Sequence, residues 1–357
     1  MRTSGRITAI LAIAALVVAC DEEPTSPNAE NLGPQSHVVP PGACSEYEIH
    51  NLGVPYGFMR SAAFGINDWG QVVGWAVEEP GPYARAYRWW RGTVTELGTL
   101  GGNQSGAVDI NIWGQIVGGA GIPPEGIFPS GHAYLWWHGK MIDLGTLGGS
   151  SSTARDINNL GVVVGSSIMP SSRYRTHAFV WFGGEMRDLG TLGGGWSTAY
   201  AINDRGEIVG ESRTGTDSWY YHAFLWSRGK MVDLGRGEAH DINNQGLAVG
   251  TGRTASGEYH AVLWKDGQMV DLGTLGGTRS RALALNDRGE VVGSSYLASG
   301  VSHAFLWRNG EMQDLGGLEN RYSVAYDINN RGDIVGYSGP DAVIWRCSLR
   351  KHQVTGR

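Results

Sequence analysis

Five histidines recur in one sequence context, and a histidine repeated in this way could serve either chemistry or structure. Each is followed by an alanine, two apolar residues and a tryptophan, as in HAFLW from His222 to Trp226. Imidazole rings bind metals and transfer protons near neutral pH. Histidines on adjacent units of a repeated β-structure would, however, lie too far apart to share one ion whose ligands approach to about 2 Å. We therefore predict that each histidine bonds to the backbone or packs against the next repeat. The five are His132, His177, His222, His260 and His303.

The rest of the sequence offers no recognisable catalytic motif. It contains no Ser-His-Asp spacing, no Cys/His pattern typical of a metal site and no glycine-rich phosphate loop that opens a helix. We therefore predict no catalytic residue, no metal and no cofactor.

Three sequence anchors return in phase, seven times each. The first is an asparagine that follows Ile or Leu and precedes x-x-Gly, the second is the tryptophan of A-x-x-W, and the third is the leucine of (D/E/N)-L-G. Successive asparagines lie 40 to 47 residues apart, which indicates an internal repeat. The anchors are Asn67, Asn111, Asn158, Asn203, Asn243, Asn286 and Asn329; Trp89, Trp136, Trp181, Trp226, Trp264, Trp307 and Trp345; and Leu52, Leu97, Leu144, Leu189, Leu234, Leu272 and Leu315.

A period of this length with turn signals is typical of a four-stranded antiparallel blade. We label the strands of each repeat A to D, so that the fourth repeat reads STAYAIN, EIVGES, YHAFLW and KMVDLG. The chain opens with a lone strand D at 47–53, and its last repeat stops after strand C. We therefore predict an all-β fold, a single seven-bladed β-propeller over 44–347 that is closed by the N-terminal strand completing the last blade. The repeats run near 61–102, 103–149, 150–194, 195–237, 238–277, 278–318 and 319–346, and 348–357 is a short tail.

Two cysteines flank the predicted pairing of the chain ends. Cys44 precedes the N-terminal strand, and Cys347 follows the last anchor tryptophan. In an oxidising compartment we expect them to form a disulfide. Two free thiols are the alternative.

The N-terminus has the features of an export signal. Arg2 and Arg6 precede an apolar stretch at 7–18, which is too short to span a bilayer. The sequence VVAC that ends at Cys20 resembles a bacterial lipobox, in which the cysteine carries a lipid. We predict a lipoprotein signal at 1–20 and a protein anchored to a membrane of the bacterial cell envelope or cell surface, with an ordinary signal peptide as the alternative. Residues 21–43 are rich in Pro, acidic and small polar residues, which predicts a disordered tether.

The repeats vary in length mainly between strands B and C. The step from the glycine of strand B to the tryptophan of strand C ranges from 9 to 18 residues, whereas the step from the anchor asparagine to that glycine is always seven. Because variable loops on a rigid scaffold carry function, we predict that the B–C loops bind a ligand. Aromatic rings stack on sugar faces and arginines pair with carboxylates, so a glycan or an acidic polymer would fit; for any one residue, packing of the loop is the alternative. The candidates are Trp75, Tyr83, Phe128, Arg173, Tyr174, Arg175, Asp217, Trp219, Tyr220, Tyr221, Arg253, Tyr259 and Tyr296.

One connection between strands D and A is shorter than the others. Leu234 and Asn243 are nine residues apart, whereas the same step elsewhere is 14 or 15. We predict a notch on the B–C face beside Arg236, Glu238 and His240. A deletion without functional consequence is the alternative.

Composition and charge narrow the range of partners. The 56 glycines and 14 tryptophans favour many short strands joined by tight turns. A net charge of −6 argues against a nucleic-acid partner, which would require a basic face. We expect a monomer.

The words HAFLW, HAFVW and DLGTLGG resemble the HAF-repeat proteins, a family of extracellular bacterial repeat proteins. The resemblance extends from Tyr47 to Trp345. It implies export and a repeated fold, and it supplies neither a substrate nor catalytic residues. Departures from the family word include Arg85-Ala86-Tyr87, His260-Ala261-Val262 and Asp341-Ala342-Val343.

Three functions are compatible with these features. We favour an exported, lipid-anchored propeller that binds a glycan or a protein on its B–C face. A polysaccharide lyase or hydrolase on a propeller scaffold is the first alternative, and a structural surface scaffold is the second. A site that combines Arg, Tyr and His, or two carboxylates, would favour the enzyme, and a flat aromatic surface would favour binding.

Overall fold

The computed structural model describes residues 44, 46–53, 58–78, 83–123, 131–170, 172–215 and 220–348, with the backbone alone at 58, 59, 78 and 172–174. They belong to one compact unit, Gly42–Arg357. Several sequence predictions lie outside the described residues, namely the signal segment with Cys20, the tether at 21–43, most of the tail, Phe128, Asp217 and Trp219. Arg173 and Tyr174 are described by their backbone only.

The described residues are almost entirely β-strand and turn. The strands of repeats 1 to 3 are β2 (Phe58–Ile66), β3 (Val72–Glu78), β4 (Ala84–Trp90), β5 (Thr93–Glu96), β6 (Ser105–Ile110), β7 (Ile116–Gly121), β8 (Gly131–Trp137), β9 (Lys140–Asp143), β10 (Ser152–Ile157), β11 (Val163–Met169), β12 (Ser172–Phe182) and β13 (Glu185–Gly190). Repeats 4 and 5 contain β14 (Ser197–Ile202), β15 (Ile208–Arg213), β16 (Tyr221–Ser227), β17 (Lys230–Ile242), β18 (Ala248–Arg253), β19 (Tyr259–Lys265) and β20 (Gln268–Asp271). Repeats 6 and 7 contain β21 (Gly276–Leu285), β22 (Val291–Leu297), β23 (Ser302–Arg308), β24 (Glu311–Gly316), the 3-10 turn Leu318–Asn320, β25 (Ser323–Ile328), β26 (Ile334–Ser338) and β27 (Asp341–Cys347), and β1 (Tyr47–Asn51) precedes them all.

The strands of each repeat pair in sequence order, and every pair is antiparallel. Across the described ranges they form five four-stranded sheets and one seven-stranded sheet. The all-β class and the four-stranded antiparallel repeat are therefore as the sequence predicts. No helix within these ranges is long and apolar enough to cross a membrane.

The seven-stranded sheet joins repeats 4 and 5. Strand D of repeat 4 was expected to end at Gly235, but β17 continues to Ile242 and serves as strand A of repeat 5. The expectation was wrong because the GTLGG residues that form a loop elsewhere are missing here. Arg236, Glu238 and His240 consequently lie within a continuous strand.

The two chain ends meet in the last sheet. The N-terminal strand β1 pairs with β27, from Tyr47 opposite Cys347 to Asn51 opposite Val343. The predicted disulfide between Cys44 and Cys347 is confirmed, with a Cα–Cα distance of 5.5 Å. The first strand of the chain thus supplies the fourth strand of its last repeat.

Turn residues explain where the strands end. The C–D turn at Asp266 and Gly267 has φ values of 50° and 74°, as a two-residue hairpin with both central residues in the left-handed region requires. In the A–B turn of repeat 4, the N–H of Gly206 donates to the carbonyl oxygen of Asn203 at 3.0 Å. Asp-Gly and Asn-x-x-Gly are the sequences typical of these two kinds of turn.

The hydrophobic core lies between neighbouring repeats. In β16, Phe224 is fully buried against Ala199 and Val164 on one side. The adjacent Ala223 belongs to a second buried cluster, which it shares with Val262 of repeat 5. Each face of strand C thus contacts a neighbouring repeat. For this reason strand C is apolar at successive positions.

Seven buried asparagines connect the repeats at the A–B turns. The side-chain amide of each anchor asparagine donates to the main-chain oxygen of the anchor asparagine in the next repeat, at 3.0 to 3.2 Å. The last of these bonds runs from Asn329 in repeat 7 to Asn67 in repeat 1. The first and last repeats are therefore neighbours.

The five repeated histidines pair with the aspartates of strand D. The Nδ1 atom of His177 lies 2.8 Å from Asp188 Oδ2, and Asp188 Oδ1 also accepts the N–H of Gly190 at 2.7 Å. The other four histidines make the same contact, with Asp143, Asp233, Asp271 and Asp314. Their partner is a carboxylate of the same repeat, whereas the sequence predicted a bond to the backbone or packing against the next repeat.

Candidate functional site

Strand A contains an irregularity at the same place in every repeat. The pairing between strands A and B shifts register there, for example between Ala199 and Ala201, which leaves Tyr200 as a bulged residue. Bulges bend a strand and redirect a side chain, and they are common beside functional sites. The seven bulged residues, three positions before each anchor asparagine, are Phe64, Val108, Arg155, Tyr200, His240, Leu283 and Tyr326.

Polar bulge residues and their neighbours on strands A and B form one cluster. The hydroxyl of Tyr200 donates to Glu211 Oε1 at 2.5 Å, and the ring of Tyr200 lies 5.3 Å from that of His240. His240 Nε2 lies 3.3 Å from Glu238 Oε2 and 3.5 Å from the hydroxyl of Thr251. The contacts link repeats 4 and 5 at the place where β17 replaces the usual loop.

Two arginines flank this cluster from the repeats on either side. The guanidinium of Arg155 lies 5.9 Å from the centre of the Tyr200 ring. Arg281 Nη2 lies 3.9 Å from Glu238 Oε2, and the Arg281 side chain is 55% exposed. We call Arg155, Tyr200, Glu211, Glu238, His240 and Arg281 the inner polar cluster.

The two carboxyl groups of the cluster have opposite pKa shifts. Burial raises the pKa of Glu211 to about 7. The hydrogen bond from Tyr200 lowers this pKa, whereas the negative charge of Glu238 raises it. The hydrogen bond from His240 instead lowers the pKa of Glu238, and burial opposes it. Near neutral pH one carboxyl can therefore hold a proton while the other is ionised, which is how acid and base roles are divided between two carboxyl groups.

The phenol and the imidazole of the cluster are uncharged near neutral pH. Burial raises the pKa of Tyr200, so that its phenol remains a donor. Burial also lowers the pKa of His240, which outweighs the opposite effect of the Glu238 hydrogen bond. The Glu211 side chain is buried, and among the described residues no group bonds its Oε2 atom.

Five aromatic side chains of repeats 1 and 7 form a continuous strip beside the cluster. The Phe64 ring lies 6.4 Å from Trp75 and 4.5 Å from Tyr326. The Tyr337 ring lies 5.7 Å from Tyr326 and 5.8 Å from Tyr322. We call Phe64, Trp75, Tyr322, Tyr326 and Tyr337 the aromatic strip.

Arg281 connects the aromatic strip with the inner polar cluster. Its charge lowers the pKa of both Tyr326 and Tyr337, against the larger rise that burial causes. The same charge acts on Glu211 and Glu238. The Arg281 charge therefore acts on groups of both the strip and the cluster.

A separate cavity of about 190 Å³ lies among the anchor asparagines. Seven aspartates line it, and four of them, Asp109, Asp156, Asp241 and Asp327, lie two positions before an anchor asparagine. Each of these four accepts a backbone N–H from a neighbouring repeat, at 2.6 to 3.1 Å. Burial raises the pKa of Asp241 to about 7. Because their oxygens already bond the backbone, these carboxyls hold repeats together.

The structure divides the residues predicted from the sequence into three groups. Trp75, Glu238 and His240 belong to the strip or to the cluster. Tyr221 and Arg253 bond within their own loops, through Arg213 and Gly257. Of the remaining described candidates, Arg236 is half-buried and stacks on Tyr220, and the others lie at the surface, namely Tyr83, Arg175, Tyr220, Tyr259 and Tyr296.

Most of the inner polar cluster was not predicted from the sequence. Arg155, Tyr200, Glu211 and Arg281 lie on strands A and B, whereas the predicted site lay in the variable B–C loops. A signal for Arg155 and Tyr200 was available, because the position three before each anchor asparagine changes its chemistry from repeat to repeat, whereas the position before it is alanine in all seven repeats.

The chain matches no protein-family model and no curated protein. It is similar to the β-propeller domain of the Trilobed protease from Pyrococcus furiosus, with 13% identity, a TM-score of 0.49 and coverage of 70% of this chain and 82% of that one. A streptogramin B lyase shows 11% identity, a TM-score of 0.44 and coverage of 85% and 98%. TolB from Acinetobacter baumannii shows 10% identity and a TM-score of 0.40 over 60% of this chain, which spans 59% of the TolB chain.

Proposed function

We propose that this protein is an exported, lipid-anchored seven-bladed β-propeller that binds a carbohydrate through the aromatic strip and the inner polar cluster. The observation that carries the proposal is the position of five linked aromatic rings beside a cluster of arginines, carboxyls and hydroxyls. Flat rings stack on the apolar faces of sugars, and the polar groups match sugar hydroxyls and carboxylates. Exposed tyrosines of the B–C loops, such as Tyr220 and Tyr296, would extend the contact.

Closure into a ring of seven blades is part of this proposal. Its support is the bonding between the last and first repeats. Besides the bond from Asn329 to Asn67, the N–H of Ala342 donates to the hydroxyl of Ser61 at 2.9 Å, and the N–H of Ser61 donates to Pro340. A ring leaves no end sheet with an exposed face, which accounts for seven similar repeats without terminal caps.

Export and the lipid on Cys20 complete the proposal. The signal sequence and the lipobox support them, and so does the Cys44–Cys347 disulfide, because disulfides persist in oxidising compartments. The recurring HAF and DLG words support membership of the HAF-repeat family.

The test is a glycan array probed with the purified full-length protein. We expect binding to one class of glycan and a loss of roughly tenfold in affinity when Trp75 or Tyr326 is replaced by Ala, because a stacking ring is removed. Trp113→Gln, which changes an exposed ring in an A–B turn outside the strip and the cluster, is the control and should bind normally. Failure to bind any glycan, or normal binding by both strip variants, would contradict the proposal.

A second candidate function is a polysaccharide-cleaving enzyme. The observation that favours it is the pair Glu211 and Glu238, whose carboxyls have pKa values shifted in opposite directions beside Tyr200 and His240. The glycans that bind in the array would be incubated with the protein and examined for new reducing ends or unsaturated products. Turnover that Glu211→Gln abolishes while binding persists would establish the enzyme, and intact glycans would leave the binding protein.

A further inference from the structure

The A–B and C–D turns form one surface of the protein. In an antiparallel four-stranded sheet these two turns lie at the same end of the strands. Hydrogen bonds between neighbouring repeats hold the A–B turns side by side, as from Trp69 Nε1 to the carbonyl oxygen of Ile112 at 3.0 Å. We call this surface, which is opposite to the B–C loops, the turn face.

Large apolar side chains are exposed on one part of the turn face. Trp69, Trp113 and Leu160 follow the anchor asparagines by two positions, and their exposed fractions are 69%, 63% and 65%. Trp90 and Phe182, directly after the anchor tryptophans, are exposed as well. With Ile112 they form what we call the apolar sector, which is confined to repeats 1 to 3.

The same two positions are polar in repeats 4 to 7. Those after the asparagines are Arg205, Gln245, Arg288 and Arg331, and those after the tryptophans are Ser227, Lys265, Arg308 and Arg346. Three of these arginines pair with acidic residues of their own turns, Glu207, Glu290 and Asp333. The turn face is therefore divided into an apolar part and a charged part whose charges are largely balanced.

The fold does not require tryptophan at these positions. Trp113 Nε1 donates to the carbonyl oxygen of Asn159 at 2.9 Å, which bridges repeats 2 and 3. Gln245 Nε2 makes the equivalent bond to the carbonyl oxygen of Asp287 at 2.6 Å. Because glutamine completes the bridge without exposing an indole ring, the exposed rings need another explanation. Large exposed apolar patches mark interaction surfaces.

The chain also enters the described structure at the turn face. Strand C ends at this face in every repeat, and the C-terminal end of β27 holds Cys347, which is bonded to Cys44. The segment that leads to Cys20 therefore joins the protein here. From Asp21 to Cys44 it reaches at most about 80 Å when extended, so a lipid on Cys20 would tether the protein to the bilayer from this face.

We propose that the apolar sector docks on the lipid–water interface of the membrane. Tryptophan is enriched at this interface, because its ring is apolar while its N–H remains among polar groups. The charged part of the turn face is balanced, so docking does not depend on anionic lipid. The orientation argument rests on the proposed lipid anchor, whereas the exposed tryptophans stand independently of it.

The experiment measures vesicle binding of the mature chain without its lipid, Asp21 to Arg357, secreted behind a leader that lacks the lipobox. Vesicles of phosphatidylethanolamine with phosphatidylglycerol, or of phosphatidylcholine alone, are sedimented with the protein. We expect both to bind it, and Trp69→Gln combined with Trp113→Gln to weaken partitioning by about tenfold. Tyr220→Gln with Tyr296→Gln removes two exposed rings from the opposite face and should leave partitioning unchanged.

The outcomes separate the possible occupants of the sector. Equal vesicle binding by the native chain and the double tryptophan variant, or no vesicle binding by either, would overturn the proposal. A native dimer that the tryptophan variant converts to a monomer would assign the sector to a second copy of the chain instead. Glycan binding is measured on the same samples, so failure of the ligand proposal is seen separately from failure of membrane docking.

Discussion

The repeated histidine and the acidic residue of the DLG word form one structural pair. In repeat 1 the pair is replaced by Arg85 and Glu96, whose charged groups lie 3.9 Å apart. In repeat 7 the two positions hold Asp341 and Asn51. Because the partner changes together with the histidine, the recurring words encode a link between strands C and D. The candidate site consists instead of residues that differ between repeats.

At the same scale, Glu211 makes protein stability depend on pH. A carboxyl whose pKa rises from 4.5 in the unfolded chain to about 7 in the folded one stabilises the fold fully below pH 4.5, and this contribution is lost as the pH rises through 7. We expect Glu211→Gln, which stays neutral and still accepts the Tyr200 bond, to gain about 2 kcal/mol relative to the native protein between pH 5 and pH 8. Urea unfolding of both proteins at the two pH values measures this difference.

The same substitution at the exposed Glu311 provides the control for Glu211→Gln. At each pH the native protein is compared with Glu211→Gln. This comparison removes the contributions of the other buried acids and of His240 to the free energy of unfolding, since both proteins contain these groups. A free-energy difference between the native protein and Glu211→Gln that is the same at both pH values would contradict the assignment.

Among the elements, the A–B turn is the unit that joins one repeat to the next. The side-chain oxygen of Asn158 accepts the N–H groups of Leu160 and Val162, and its amide donates to Asn203. We expect Asn158→Ala to lower the free energy of unfolding by about 2 to 4 kcal/mol, because it leaves buried donors and an acceptor unpaired. Leu160→Ala, an exposed change in the same turn, should cost less than about 0.5 kcal/mol.

Chemical denaturation of the two A–B turn variants tests this expectation. Equal midpoints for Asn158→Ala and Leu160→Ala would show that the asparagine contributes no more than a surface residue of its turn.

The D–A connection shows how a deletion can create a site. Between repeats 2 and 3 the loop is held by Thr146, whose hydroxyl donates to the carbonyl oxygen of Gly149, and by the N–H of Leu147, which donates to the hydroxyl of Ser167. In repeat 5 the loop is missing, and Gly252 stands where the other repeats have serine or alanine. The continuous strand β17 places Glu238 and His240 directly beside Tyr200. This deletion, which the sequence left open as inconsequential, lies at the centre of the candidate site.

For the whole molecule, the joining of the two ends is the step that completes the fold. The disulfide spans 303 residues, and in the loop-entropy description a cross-link of that length contributes about 5 kcal/mol. We expect Cys44→Ala with Cys347→Ala to lower the denaturation midpoint markedly, and a reductant to do the same to the native protein but not to the variant. An unchanged midpoint in the variant would mean that strand pairing alone holds the ends together.

Several features of the fold could be predicted because they are local or periodic in the sequence. Turn residues such as Asp266 and Gly267 fix strand ends through their own backbone preferences. The incomplete repeats at both ends indicated that β1 pairs with β27 and that Cys44 bonds Cys347. These predictions needed only the phase of the repeat and the alternation of strands.

The site depends on contacts between residues that are distant in the chain. The sequence alone does not show which of these residues meet. A bulge sets the direction of Tyr200, packing of repeat 4 on repeat 5 places it beside Glu238 and His240, and burial then shifts the pKa values. Exposure of Trp69 and Trp113 likewise became visible only once the turns lay side by side. Sequence by itself determined the repeats, their strands and the link between the ends, because these depend on local conformation. Tertiary structure decided which variable side chains share a site, since burial and proximity across repeats are properties of the assembled sheets.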